Sequence, residues 1–451
     1  MAPLSPSPAA RHPPGLGLLF FAELWERFAY YGLRALLILY LLDTAAGGLG
    51  WRQEPASRLY GWFIGLCYLT PVIGGWMADR FLGANRALVI GGAVIALGHF
   101  TLALGAGWLF FAGLGLIVAG TGFFKGNAAT MVGRLYRTDD PRRDAGFTLY
   151  YVAINLGALS GPLVCAWLAA DPRFGWRYAF GAAGTGMLLG LVAYLALRGR
   201  LLQGIGTAEG GAGAALAERT GDEQSRIAAI AVVLFFGVFF WLAFEQVGSS
   251  LNVFAAQRTD RTVTGLIAGL MPRGEIPAAW FQSVNPVFVL LLAPIVALLW
   301  RRLGPRQPSP PAKMVIGLGL LGLAYLVMVV AALASEGGMP ASPLYLVGFY
   351  LLYSVGELCF IPVSISFVSR TAPARYASML MGLWFSANFV ASVLGGYIAG
   401  MIQRVARGEL FTLLGGQADF FLLFVAVTLM ASLGLALLTP ALHRLLRRSA
   451  A

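Results

Sequence analysis

What most constrains this chain is its series of apolar blocks, many of them 18 residues or longer, recurring from one end to the other. A block of that length, wound as a helix, crosses the roughly 30 Å hydrocarbon layer of a bilayer. Within that layer every backbone N–H and C=O must be satisfied inside the chain, which leaves only helices or a closed barrel. A barrel would read as short alternating segments, and the sequence has none of that pattern. Surface arithmetic agrees: 58% of the 451 residues are hydrophobic and 12% are charged, against about 25% charged in a soluble domain. The expectation is an all-α, multi-pass membrane protein.

Reading the apolar runs against their Gly, Pro and charged breakers predicts twelve helices. The first six are near 15–42, 60–79, 87–104, 108–133, 145–170 and 177–197. The second six are near 227–256, 280–300, 314–334, 343–369, 376–403 and 418–440. Residues 1–14 read as a disordered tail and lack the pattern of a secretory signal. Residues 198–226, with Glu218, Arg219, Asp222 and Glu223, read as a water-exposed linker between a 15–197 and a 227–441 six-helix bundle. Residues 442–451 are expected to form a short cytoplasmic tail.

The net charge of +12 would suggest a nucleic-acid partner in a soluble protein. Here the distribution gives a different reading, with no nucleic acid involved. With a cytoplasmic N-terminus the inside segments hold 20 basic residues and the outside loops hold nine. That bias places both termini in the cytoplasm and fits the inner membrane of a bacterium. Three basic residues of the 32 remain, Arg27, Arg34 and Lys125, and all three fall inside predicted helices.

Such charges are costly. At about 2.5–3.5 kcal/mol each near the bilayer centre, Glu23, Glu26, Arg27 and Arg34 together cost the first helix on the order of 10 kcal/mol if exposed to lipid. At about 100° per residue, positions 23, 26, 27, 30 and 34 share one face, so these charges and Tyr30 form a single polar stripe facing the bundle interior. The stripe is either an ion-pair network that only fixes packing or part of an ion or substrate path. Lys125, Glu245 and Glu357 complete the intramembrane set. Counted by sequence half, these charges sum to +1 and −2, an arrangement suited to a solute with an amino group at one end and a carboxylate at the other.

Enzymatic alternatives lack material. His99 is the one histidine inside a predicted helix, and no Cys, His or paired Asp arrangement accompanies it. Cys67, Cys165 and Cys359 are too scattered for a metal site or a disulfide framework. No enzyme, metal or cofactor is expected. A receptor would need a folded signalling domain, for which the tails are too short.

With these residues placed, the sequence resembles the proton-dependent oligopeptide transporter (POT/PTR) family of the major facilitator superfamily. Glu23-Leu-Trp-Glu26-Arg27-Phe28-Ala-Tyr30-Tyr31-Gly32 matches the family's ExxERFxYYG element. Tyr68-Leu-Thr-Pro71 with Gly74-Gly75-Trp-Met-Ala-Asp79-Arg80, Phe124-Lys125-Gly126-Asn127, and Phe147 through Gly157 follow in order. In the second half come Phe281-Gln282-Ser283-Val-Asn285-Pro286, Gly356-Glu357-Leu358 and Met381-Gly-Leu-Trp384. The resemblance implies a symporter importing di- and tripeptides with protons as the coupling ion, working as a monomer in the lipid bilayer by alternating access. It implies Glu23, Glu26 and Arg27 as the proton-coupling group. Arg34 with Glu245, and Lys125 with Glu357, would be gate salt bridges. Tyr30, Tyr31, Arg34, Tyr68, Lys125, Asn155, Trp241, Asn285, Glu357 and Trp384 would bind substrate. A related transporter of nitrate, an amino acid or a peptide-like drug is the alternative.

The sequence also departs from the family pattern. Gly126 stands where Pro follows the lysine, and Ile361 stands where many bacterial relatives carry Ser. Gly61 occupies the position of a proton-sensing His in animal relatives, so coupling would rest on carboxylates.

Overall fold

A computed structural model describes residues 12–105, 107–137, 139–206, 223–373 and 376–448. Its helices are α1 (Gly15–Leu42), α2 (Gln53–Met77), α3 (Ala84–Leu104), α4 (Trp108–Arg134), α5 (Arg143–Ala170), α6 (Trp176–Leu201) and α7 (Glu223–Phe244). They continue with α8 (Ser250–Gln257), α9 (Val284–Leu303), α10 (Pro310–Ala334), α11 (Leu344–Thr371), α12 (Ala377–Gly400), α13 (Ile402–Ala406) and α14 (Gly416–Arg448). Twelve of them are long. Among the described residues, 11 helical spans are long and apolar enough to cross a membrane. The remaining long helix, α1, spans 28 residues but carries the four charges of the polar stripe. Side chains such as Leu97, Leu189, Ile295 and Leu437 are exposed on the helix surfaces. That apolar exterior would be a liability in water and is what a lipid-facing surface requires.

Several boundaries differ from those expected, for local reasons. Helix α2 begins at Gln53 rather than near 60, because Pro55 sits in the first turn, where its missing N–H removes no helical bond. Glu54 and Arg58, one turn apart, pair on its surface. The expected helix 227–256 is interrupted: α7 ends at Phe244, Glu245–Gly248 tighten into a 3₁₀ turn, and α8 resumes at Ser250. At the other end, α14 continues through Pro440 to Arg448. Of the predicted linker, α6 and the turns after it take residues up to 206, and Glu223 opens α7. Residues 207–222, with Glu218, Arg219 and Asp222, lie outside the described residues, as do residues 1–11 of the predicted tail. Helix α4 runs unbroken through Lys125-Gly126-Asn127.

The chain forms two compact units, one from Met1–Gly32, Thr70–Gly161 and Phe180–Gly211, the other from Leu33–Leu69, Pro162–Ala179 and Ala212–Ala451. In the first, α3 packs along α4. In the second, α10 packs on α14 and α11, α7 on α12 and α14, and α11 on α9. The core of that second unit mixes aliphatic with many aromatic side chains, with Phe240, Tyr325, Phe349, Phe421 and Phe424 buried. Two of its helices, α2 and α12, meet backbone to backbone. A Cβ on Gly61 would lie 2.6 Å from the Ser392 carbonyl oxygen and 2.8 Å from the Gly396 Cα. Small residues allow that approach, as is common where membrane helices pack without a hydrophobic drive. The same contact explains why Gly61 cannot be exchanged for a His without moving a helix. Ile361 packs against the apolar core of this unit.

Candidate functional site

The candidate residues fall into one cluster in each unit. In the first unit, α1 turns Glu23, Glu26 and Arg27 inward on consecutive helical rows. Arg27 Nε lies 2.9 Å from Glu23 Oε1 and 2.5 Å from Glu26 Oε2. All three residues are at most 3% exposed, so this is a guanidinium shared by two carboxylates out of contact with solvent. Gly157 of α5 permits the approach, since a Cβ there would lie 2.5 Å from both Arg27 Cβ and the Leu24 carbonyl oxygen. The Tyr150 hydroxyl on the same helix lies against Glu23.

One ring joins this group to the lysine. Arg27 Cζ is 5.5 Å and Lys125 Nζ 5.8 Å from the centroid of Tyr30, which makes an edge contact with Tyr31. Each distance lies within the range at which a cation is attracted by a ring face. Tyr30 thus lies within cation–ring range of both Arg27 and Lys125. Asn155 is buried and its amide nitrogen donates to the Tyr151 carbonyl of its own helix at 2.9 Å.

In the second unit Arg34 donates from Nη2 to Glu245 Oε2 at 2.9 Å. Their side chains are 7% and 4% exposed. The Arg34 Nε also reaches the Tyr60 hydroxyl at 3.4 Å. The glycine that ends the 245–248 turn has a steric role here. The Gly248 backbone passes so close to the Tyr60 hydroxyl that a side chain on it would overlap that oxygen. The expected α1 stripe is therefore divided: Glu23, Glu26, Arg27 and Tyr30 belong to the first unit, while Arg34 turns to Glu245 in the second. Counted by unit, the intramembrane charges sum to zero and −1 rather than to the +1 and −2 of the two sequence halves. Arg34 offsets a carboxylate from the far half of the sequence.

Glu357 on α11 is held by a neutral amide. Asn285 Nδ2 donates to Glu357 Oε2 at 2.8 Å and to Ser354 Oγ at 3.0 Å. Lys125 belongs to the first unit and Glu357 to the second. The same unit also holds a group of aromatic rings. Trp241 and Trp384 are buried and meet edge to face at 5.5 Å, with the Tyr68 ring 6.2 Å from Trp241. Phe244 stacks on Tyr353 at 4.4 Å. Such rings offer apolar area with few directional demands, whereas the Asn285 amide and Glu357 carboxylate are directional groups.

Sequence reading passed over Tyr60, Tyr150, Tyr353 and Ser354. The last two were accessible, since residues three and four before Glu357 share its helix face. Tyr60 and Tyr150 were not, because each is defined by a partner on another helix.

Comparison with known proteins places this architecture. The family model described as POT family matches residues 85–204 and 205–413. The chain is 36% identical over 464 residues to a peptide transporter of Yersinia enterocolitica subsp. palearctica serotype O:3 (strain YE-P4), covering 87% of this chain and 88% of that one. A crystal structure of a peptide transporter POT in complex with sulfate superimposes with a TM-score of 0.86 at 32% identity, covering 96% of both chains. A POT family transporter in complex with 5-aminolevulinic acid gives a TM-score of 0.85 at 29% identity, covering 96% of this chain and 97% of that one. The twelve-helix plan is that of the major facilitator superfamily, and the protein is a multi-pass membrane protein. With a family model across most of its length and a relative at this identity over nearly all of it, the chain belongs to the POT family.

Proposed function

We propose that this protein is a symporter that couples proton entry to the import of di- and tripeptides by alternating access. The observation that carries the reading is the buried Glu23–Arg27–Glu26 group, a cation held by two carboxylates that can each accept a proton. Protonation of either acid loosens its hold on Arg27, freeing the guanidinium to meet a substrate carboxylate together with Lys125 and Arg34. Glu357, already bonded to Asn285, takes the amino end. Tyr30, Tyr31, Tyr68, Asn155, Trp241 and Trp384 line the space for side chains. Arg34–Glu245 serves as the outer gate, and Lys125 with Glu357 as the inner one. Residues 15–197 and 227–441 act as the two six-helix bundles, with both termini cytoplasmic in a bacterial inner membrane. The working unit is a monomer, the proton is the coupling ion, and no catalysis or other cofactor is involved.

Uptake of labelled dialanine into proteoliposomes with an imposed inward proton gradient tests this reading. Gradient-driven accumulation that tripeptides compete with is expected. Glu23→Gln and Glu26→Gln should lose uphill uptake while retaining counterflow. Absence of gradient-stimulated uptake, or accumulation surviving both substitutions, rejects the assignment. The complex with 5-aminolevulinic acid in a relative favours one second reading, a different small solute bearing an amine and a carboxylate, which the same assay separates through failure of peptides to compete.

A further inference from the structure

The second unit contains a cavity of about 250 Å³ beyond the C-terminal end of α1, away from the clusters described above. Its walls come from the end of α1 and its following loop, the ends of α5 and α8, the start of α6, and the segment 261–279. Most of the surface is apolar, including Leu36, Leu39, Ala169 and Pro277. Four charged side chains also line it: Asp43, Arg261, Arg273 and Glu275.

These four are not equivalent. Arg261 is committed to structure, donating from Nη2 to Glu275 Oε2 at 2.7 Å and from Nη1 to the Ile276 carbonyl at 2.8 Å. Asp43 is committed too, accepting from the backbone N–H groups of Ala45, Ala46 and Gly48 and, at 2.8 Å, from Trp176 Nε1. Its negative charge still faces the cavity, since every one of those donors is neutral. Arg273 has no ion pair among the described residues. It is also the one described non-glycine residue with a positive φ, 57°. That conformation costs a non-glycine residue of order 1 kcal/mol or more and persists where surrounding structure imposes it. Here the imposition is visible: Val263 N–H donates to the Gly274 carbonyl and Ile276 N–H to the Arg261 carbonyl, closing a hairpin with Arg273 near its turn.

We propose that this cavity binds a small apolar zwitterion, an amino acid or dipeptide, with its carboxylate on Arg273 and its ammonium toward Asp43. The charges favour that ligand over a simple anion, because Asp43 would repel one, and over a cation, because Arg273 would. Size agrees: pockets for drug-sized ligands start at about 300 Å³, so this one suits a smaller molecule. The site is separate from the Glu357–Asn285 cluster and stands whether or not the protein transports peptides.

The test uses the full-length protein in detergent with Ala46→Cys, an exposed position lining the cavity. The native Cys67, Cys165 and Cys359 are buried, so a polar maleimide reports on the new thiol. Leucine or leucyl-leucine should slow its labelling, while leucine amide and N-acetyl-leucine, each lacking one charge, should not. Adding Arg273→Gly, which suits the backbone and removes the cation, should raise the half-protecting concentration at least about tenfold. Arg273→Lys should restore protection, and Glu357→Gln should leave it intact. Absence of protection by either zwitterion, equal protection in Arg273→Gly, or loss of protection in Glu357→Gln would overturn the proposal. Failure of dialanine uptake would reject the transport reading without touching this one.

Discussion

Removing the carboxylate of Glu245 leaves Arg34 as a buried cation without the acid it donates to at 2.9 Å. At 2.9 Å and an effective dielectric of about 20, the pair attracts by about 6 kcal/mol. Taking two ions out of water costs several kcal/mol each. The intact pair is therefore close to neutral for stability, while either half alone is a liability. Arg34→Ala and Glu245→Ala should each destabilise the protein by about 3–5 kcal/mol, because each strands its partner in a site less than a tenth exposed. The double substitution should cost less than the sum of the two, giving a coupling energy of about 3 kcal/mol or more. Equilibrium unfolding of the four proteins in one detergent, followed by helical circular dichroism, closes the cycle. Single substitutions costing less than about 1 kcal/mol each, and adding without coupling, would mean that water reaches the pair and that the burial argument is wrong.

Three further outcomes follow from other contacts. Gly61→His should destabilise by about 3 kcal/mol or more and lower the yield of folded protein, since the new side chain must displace α12 backbone only 2.6 Å from its Cβ; a thermal-shift assay with unchanged Tm would refute this. Asn285→Ala removes the donor to both Glu357 and Ser354 and should weaken peptide competition by about 10- to 100-fold, read as the competing concentration in uptake assays. At Asp43, burial pushes the carboxyl up, but hydrogen bonds from Trp176 and from the Ala45, Ala46 and Gly48 backbone outweigh it and hold the group below its ordinary value. Its contribution is thus present at neutral pH and lost as pH falls below about 4. Asp43→Asn should lower Tm at pH 7 and flatten the decline on acidification, and a parallel decline in both proteins would refute the linkage.

Much of this protein is determined by sequence alone, because the bilayer leaves so few options. Apolar length and the obligation to satisfy every backbone group dictate helices, and the breakers between blocks set their number. Local spacing did nearly as well at the Glu23–Arg27–Glu26 group. All its members lie on one helix within four residues, so helical geometry brings them together wherever the helix goes. Ser354 and Tyr353 were legible on the same ground. Tertiary structure alone decided the rest. The sequence read Arg34 as one more charge in the α1 stripe, yet its partner Glu245 lies 211 positions away, at a helix break where Gly248 passes close to the Tyr60 hydroxyl. Asn285 and Glu357 are 72 positions apart, and Gly61 acquires its meaning only when Gly396 is set against it. Arg273 reads in sequence as an ordinary loop arginine, and its strained backbone and cavity appear only once the hairpin has closed. Periodicity constrains residues that share a helix, whereas the partner on another helix depends on packing, which no local pattern encodes.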